Sequence, residues 1–294
     1  MKYIEKHPMV MIIVGVIGIS LSSIFVKYSQ APSSVTAAFR LSWTILLMSP
    51  LIWGRGEVRQ ELLHTTRTTI LLSCFSGIFL AIHFVLWFES LQHTTVASST
   101  TIVCTEVIWV SLGYCLFLKG TMSLKSIAAI GVTLAGSIFI ALADSNAGNT
   151  HLYGDVLALL AAIAVAIYVL LGRIVRETTS TAVYTYIVYS ACAAALLIFC
   201  AIQKIHIFSY GASAIVVGLL LAVFSTILGH SIFSWCLKYF SPAFVSASKL
   251  CEPVVAAVLA GFLFGEIPST MQLLGGSLIL GGVFYYSRLE QQNK

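Results

Sequence analysis

Four ionisable side chains, Arg40, Glu106, Lys249 and Glu252, stand inside runs that are otherwise apolar. A charge at the centre of a bilayer costs about 2.5 to 3.5 kcal/mol on insertion scales, so such a residue is read first as functional. Lys249 and Glu252 lie three apart in "SASKLCEPVVAAVLAGFLFGE", Ser246 to Glu266, which sets them on one helical face within reach of an ion pair. Pairing offsets part of the desolvation cost of each charge and need not leave a net gain. Pro253 follows directly; it removes a backbone donor and crowds the preceding turn, so carbonyls near Lys249 are freed to face a cavity. One reading is a packed kink with an internal ion pair, the other a stretch that lines a substrate path. Glu106 has Ile102, Val103, Trp109 and Val110 at three and four positions to either side, hence no cation on its own helix. A carboxyl group so placed is a candidate for carrying a proton in a coupling step. The alternative is an acid that bonds to nearby hydroxyls and only ties helices together.

Two histidine–tryptophan sets have similar spacing. His83 is followed by Trp87 at four positions and His230 by Trp235 at five. Histidine titrates near neutrality and tryptophan offers a face to cations and rings, so these four are candidates for substrate contact, against the plainer reading of packing. Arg40 is expected to anchor a neighbouring helix or a set of carbonyls. "TTVASSTTIVCTE", Thr94 to Glu106, carries seven hydroxyls that either let helices approach closely or wet a polar path. Ala257, Gly261 and Gly265, with Gly275, Gly276, Gly281 and Gly282, have the small-residue spacing of tight helix packing. The seven cysteines show no C-x-x-C spacing, and no His cluster accompanies them. A disulfide framework, a metal site or a cofactor is therefore not expected.

These residues need apolar elements to hold them. The chain has 294 residues, 59% apolar and 9% charged, with a mean hydropathy of +0.96, against a soluble norm of about 25% charged. A span needs roughly 20 apolar residues. Ten are expected, at 9–27, 34–53, 69–91, 96–118, 124–143, 153–172, 181–202, 212–236, 243–265 and 270–287, all helical. The longest connection, 54–68, leaves no room for a soluble domain between spans. "MKYIEKHP" is too short and charged for a separate leader, so the first span is expected to be retained.

With the N-terminus inside, the inner segments hold Lys2, Lys6, Arg55, Arg59, Arg67, Lys119, Lys125, Arg173, Arg176, Lys238, Arg288 and Lys294, and the outer ones only Lys27 and Lys204. That asymmetry places both termini in the cytoplasm. The formal charge of +5 is thus a report of topology, and no basic run points to nucleic acid.

"LQHTTVASSTTIVCTEV" (Leu91 to Val107) aligns with "LKYFSPAFVSASKLCEP" (Leu237 to Pro253) at an offset of 146 that carries Glu106 onto Glu252, since 252 minus 106 is 146. "AAIGVTLAGSIF" similarly matches "LGGSLILGGVFY". Five spans per half invert the second copy, giving repeats 1–147 and 148–294 within one membrane domain. Inverted repeats recur in secondary transporters, with a midplane site between halves that rock. With "AAFRL" in the second span, the quoted ninth span and "LLGGSLILGGV" in the tenth, the whole chain resembles the drug/metabolite transporter superfamily, EamA-like family. The resemblance implies a secondary active carrier of the cell membrane, commonly exporting amino acids or other small metabolites, with a cavity lined by spans 1, 3, 4, 6, 8 and 9. Where that family often has proline in both halves, Val107 follows Glu106 here.

Three classes remain open. A carrier by alternating access, driven by an existing gradient and with Glu106 as the candidate proton site, fits the repeat and the few intramembrane charges. A channel or facilitative uniporter would want a pore ring or filter. A membrane-embedded enzyme would want a motif such as H-E-x-x-H or G-x-S-x-G, and the chain has neither. The expected partners are a small-molecule substrate and the lipid bilayer, in a monomer or homodimer.

Overall fold

A computed structural model of the chain describes residues 8–26, 28–94, 99, 102–144, 152–252, 254–255, 258–259 and 270–292, without the side chains of residues 23, 140–144 and 272. Its helices are α1 (Pro8–Val26), α2 (Ser33–Gly54), α3 (Gly56–Leu63), α4 (Arg67–His93), α5 (Glu106–Phe117), α6 (Leu124–Asp144), α7 (Leu152–Val175), α8 (Thr181–Ile202), α9 (Gly211–Leu220), α10 (Ser231–Cys236), α11 (Pro242–Lys249) and α12 (Thr270–Gln292). Helices are what hydrocarbon demands, because backbone groups there have only one another to bond. Among the described residues α1, α2, α4, α7, α8 and the stretch Ile207–Cys236 are long and apolar enough to cross a membrane, and Ile102–Phe117 and Leu124–Phe139 are shorter apolar helices. The protein is an all-helical, multi-pass membrane protein. Pro253, Gly261 and Gly265, and with them much of the expected ninth span, lie outside the described residues.

Two compact units divide the chain: Met1–Val85 with Ile167–Tyr239, and Leu86–Ala166 with Phe240–Lys294. Each draws on both halves of the sequence.

In the first unit α1 packs along the expected eighth span. A Cβ on Gly15 would lie 3.1 Å from the Phe233 ring, one on Gly18 would lie 2.7 Å from the Phe224 carbonyl oxygen, and one on Gly229 would lie 2.7 Å from Ile19. As numbers rise on α1 they fall on its partner, so the two run antiparallel. The absence of side chains at Gly18 and Gly229 is what lets the backbones close to this distance. That partner is not one regular helix, as 212–236 is expected to be. Between α9 and α10 the chain is wound as a π-helix from Leu221 to His230. The Thr226 hydroxyl donates to the Leu221 carbonyl and the Ser231 hydroxyl to the Thr226 carbonyl, each 3.2 Å away and five residues back, matching the wider turn. Windings of this kind occur mostly at functional sites.

The connection 54–68 is also not structureless. Val58, Glu61, Leu62 and Thr65 are half-buried at helical spacing, and they fold 56–63 into α3 against α2 and α8. Glu61 Oε1 accepts from the Ser180 backbone N–H at 2.6 Å, at the N-cap of α8. Arg176, just past α7, is buried and donates through Nε to the Ser234 carbonyl at 3.1 Å and through Nη1 to the Thr179 carbonyl. Burial lowers its guanidinium from the ordinary pKa, while Tyr184, Tyr239 and Glu61 push it back up. Arg173 donates to the Leu237 carbonyl, so two arginines hold the last carbonyls of the α10 region.

In the second unit α6 and α12 form the most extensive pair. A Cβ on Gly136 would lie 2.6 Å from the Gly275 carbonyl oxygen, and one on Gly282 would collide with Thr133. Gly281, which shares the small-residue spacing, has nothing within 4 Å among the described residues. Glu290 of α12 accepts from both the backbone N–H and the hydroxyl of Ser241 (2.5 and 3.0 Å), the N-cap of α11.

Candidate functional site

Two places in the second unit interrupt helical winding, and each comes just before an acidic residue. At Thr105 the amide donates to Ile102, three residues back, and α5 starts at Glu106. After Lys249 the amides of Leu250 and Cys251 likewise donate three residues back, to Ala247 and Ser248, and winding resumes at Glu252. The interruptions match at the repeat offset of 146, as 105 plus 146 is 251. The first forms without a proline.

The break at Thr105 makes Glu106 the first residue of α5, and the break after Lys249 makes that residue the last of α11. An acid at a helix start and a base at a helix end both complement the axial dipole. The two ends meet. Lys249 Nζ donates to Glu106 Oε1 at 2.8 Å, with side chains 12% and 7% exposed. Glu106 thus does have a counter-ion, and it comes from another helix 143 residues away, where own-helix spacing could not reveal it. Glu252 is three residues from Lys249, and Cys104 lies within electrostatic range of Glu252, Glu106 and Lys249. At three positions from each member of the pair, Trp109 and Ser246 carry buried polar atoms, the indole Nε1 and the hydroxyl oxygen, without a hydrogen-bond partner among the described residues. Neither residue stood out in the sequence, yet the same three-residue spacing that links Lys249 to Glu252 would have found both. Trp87 packs beside Phe88, ring centroids 5.2 Å apart.

In the first unit Arg40 is 1% exposed. Its Nε donates to the Thr226 hydroxyl at 2.7 Å, on the π-helical stretch, and its guanidinium carbon lies 4.5 Å from the centroid of the Phe84 ring. His83 and His230 flank the same ring at 5.3 and 5.7 Å. Tyr168 faces His230 at 6.2 Å and shares a 3.0 Å hydrogen bond with Ser234, and Tyr189 shares one of 3.0 Å with Ser231. Arg40, His83 and His230 are therefore gathered round Phe84, which sequence reasoning passed over because a buried phenylalanine in an apolar run carries no signal. Trp235 stacks on Tyr239 at 4.4 Å. Of the hydroxyl-rich stretch before Glu106, Ser99 accepts from the Ser90 hydroxyl at 2.8 Å and Thr105 donates to the Ile102 carbonyl at 2.6 Å; residues 95–98, 100 and 101 lie outside the described set. Among the described residues no three His, Cys, Asp or Glu side chains are grouped to hold a metal ion.

The arrangement can do two things. The second unit holds a pair of opposite charges, matched in sign to a ligand that carries both. The first holds a buried cation over an aromatic face, beside two imidazoles that accept or donate protons.

The sequence pattern of the EamA-like transporter family matches residues 7–142 and, a second time, 152–288. A Bacillus subtilis (strain 168) protein described as an uncharacterized transporter, YxxF, is 24% identical over 286 residues, 95% of this chain and 87% of that one. An uncharacterized transporter of Archaeoglobus fulgidus is 20% identical over 253 residues, 84% of each chain. A solved crystal structure shares the fold with a TM-score of 0.80 over 98% of this chain and 99% of its own, at 14% identity.

Proposed function

The chain belongs to the EamA-like transporter family, and from that premise we propose that it is a secondary active carrier that exports small amphipathic metabolites, amino acids among them, by alternating access. The observation that carries this reading is the Lys249–Glu106 pair, buried where a charge is costly. A pair 2.8 Å apart is neutral as a unit. A substrate bearing an ammonium and a carboxylate replaces each partner in turn: Glu106 accepts from the ammonium, and Lys249 donates to the carboxylate. When the substrate leaves, the pair closes again, so neither charge is left alone in the empty carrier. Opening the pair also frees Glu106 to take up or release a proton, which gives the step at which a proton gradient drives export. Trp87, Glu252 and the His83, His230 and Trp235 side chains are the further candidates for substrate contact, with Arg40 holding α2 to the π-helical stretch.

Ten crossings in two inverted copies, in the cell membrane with both termini cytoplasmic, is the arrangement we infer. The double family match at nearly the same spacing as the sequence repeat supports the duplication. The contacts at helix ends support the alternation of sides. Glu61 meets Ser180 and Glu290 meets Ser241, joining segments expected inside, whereas Thr94 donates to Asp155 at 2.8 Å, joining segments expected outside.

A thermal-shift screen of the purified protein against metabolites tests the reading, since a ligand that binds only the folded state raises the melting temperature. Zwitterions that raise it in the parent and fail to do so in Lys249→Met are the expected result. Stabilisation by the same compounds in both proteins would remove the pair from the binding site.

A further inference from the structure

α3 is fixed in orientation by its buried side. Val58, Glu61, Leu62 and Thr65 turn toward the protein, and Glu61 is pinned to the Ser180 amide at 2.6 Å. What this leaves outward includes Arg59 and Leu63, four apart and so in line along the helix, with Arg55 at its extended N-cap, all three exposed, Leu63 by 61%. Arg67, also exposed, starts the next apolar helix, and Trp53, 48% exposed at the end of the preceding one, donates its indole N–H to the Tyr186 hydroxyl at 3.2 Å. α3 joins two helices that each cross the bilayer, so it lies at the level where hydrocarbon gives way to headgroups. An indole tied by its N–H at that level is a common interfacial anchor. We propose that the outward face of α3 is a docking surface for anionic phospholipid headgroups, with Arg55, Arg59 and Arg67 on the phosphates and Leu63 and Trp53 in the acyl boundary.

The chemistry fits a lipid phosphate more closely than a plain aqueous face. Guanidinium groups bond phosphate oxygens in a bidentate fork. An exposed leucine in line with an arginine matches a surface that is charged outside and apolar a few ångströms deeper. Of the acids of α3, Glu61 is spent on the Ser180 amide, and the exposed Glu57 offsets one of the three arginine charges, so the face keeps a net positive charge.

Native mass spectrometry of the full-length protein in detergent, titrated with phosphatidylglycerol or phosphatidylcholine, reads the site directly. Each arginine near an anionic surface contributes about a five-fold gain in affinity. The double variant Arg55→Gln, Arg59→Gln should therefore bind phosphatidylglycerol roughly 30-fold more weakly than the parent and phosphatidylcholine equally well. Arg55→Lys, Arg59→Lys, which keeps both charges, should retain most of the preference. Equal affinity of the parent for the two lipids, or parental phosphatidylglycerol binding in the glutamine variant, overturns the proposal. So does full displacement of the lipid by inorganic phosphate at matched concentration, because the site would then take the free ion.

Discussion

Taking away one charge of the Lys249–Glu106 pair leaves the other in a place water scarcely reaches, which costs about 3 to 5 kcal/mol. Taking away both removes the problem. Glu106→Gln and Lys249→Met should each lower unfolding stability by several kcal/mol, and the double variant should lose less than either, so the coupling energy in a double-mutant cycle exceeds the larger single loss, above about 3 kcal/mol. Additive losses in reversible unfolding would show that the two side chains do not interact. On the proposed reading the same residue carries the coupling step. Glutamine keeps the shape of Glu106 and its hydrogen bonding but holds no exchangeable carboxyl proton. In reconstituted vesicles Glu106→Gln should still bind substrate while losing accumulation against a gradient. Accumulation equal to the parent's would move the proton to Glu252, His83 or His230. That Glu106 is a buried acid was legible in the sequence, since an acid among apolar residues stands out alone. Its partner was not, because helical spacing reports neighbours three and four residues away and Lys249 arrives through the fold.

At the scale of the elements, what binds helices here is close approach. A Cβ on Gly18 would sit 2.7 Å from a backbone oxygen of the π-helical stretch, which cannot swing aside as a side chain does, whereas one on Gly281 would meet nothing within 4 Å. Gly18→Ala should lower stability by about 1 to 3 kcal/mol through overpacking. Gly281→Ala should be neutral or gain up to about 1 kcal/mol from the lost freedom of the unfolded chain. Equal effects of the two, compared by thermal unfolding, would mean that α1 does not pack as described. Glycine spacing is visible in a sequence, but which glycine faces a neighbour is not: Gly281 and Gly282 are adjacent and only the second is crowded. The π-helical winding was illegible for a related reason. Leu221 to His230 lies inside a stretch apolar enough to cross a membrane, and the hydroxyls of Thr226 and Ser231 declare the wider turn only through the carbonyls they choose. α3, by contrast, has the period of a buried face in Val58, Glu61, Leu62 and Thr65, and went unread because the segment is short and charged.

For the molecule as a whole, composition was enough for class, because 59% apolar residues in runs of about twenty leave little but membrane helices. The distribution of basic residues predicts the sides: a C-terminal green fluorescent protein should fluoresce, and alkaline phosphatase at the same position should be inactive, while the reverse pattern would turn the chain over in the membrane. Whether it is a carrier is a question about flux, and counterflow asks it most directly. Vesicles holding the purified protein are loaded with the zwitterion that most raises its melting temperature and diluted into a trace of the same compound, labelled. A carrier whose site faces one side at a time should take up label transiently above its equilibrium level, saturably, and Lys249→Met should abolish the overshoot. Label that only rises to equilibrium, at a rate linear in concentration, would contradict alternating access at the Lys249–Glu106 pair.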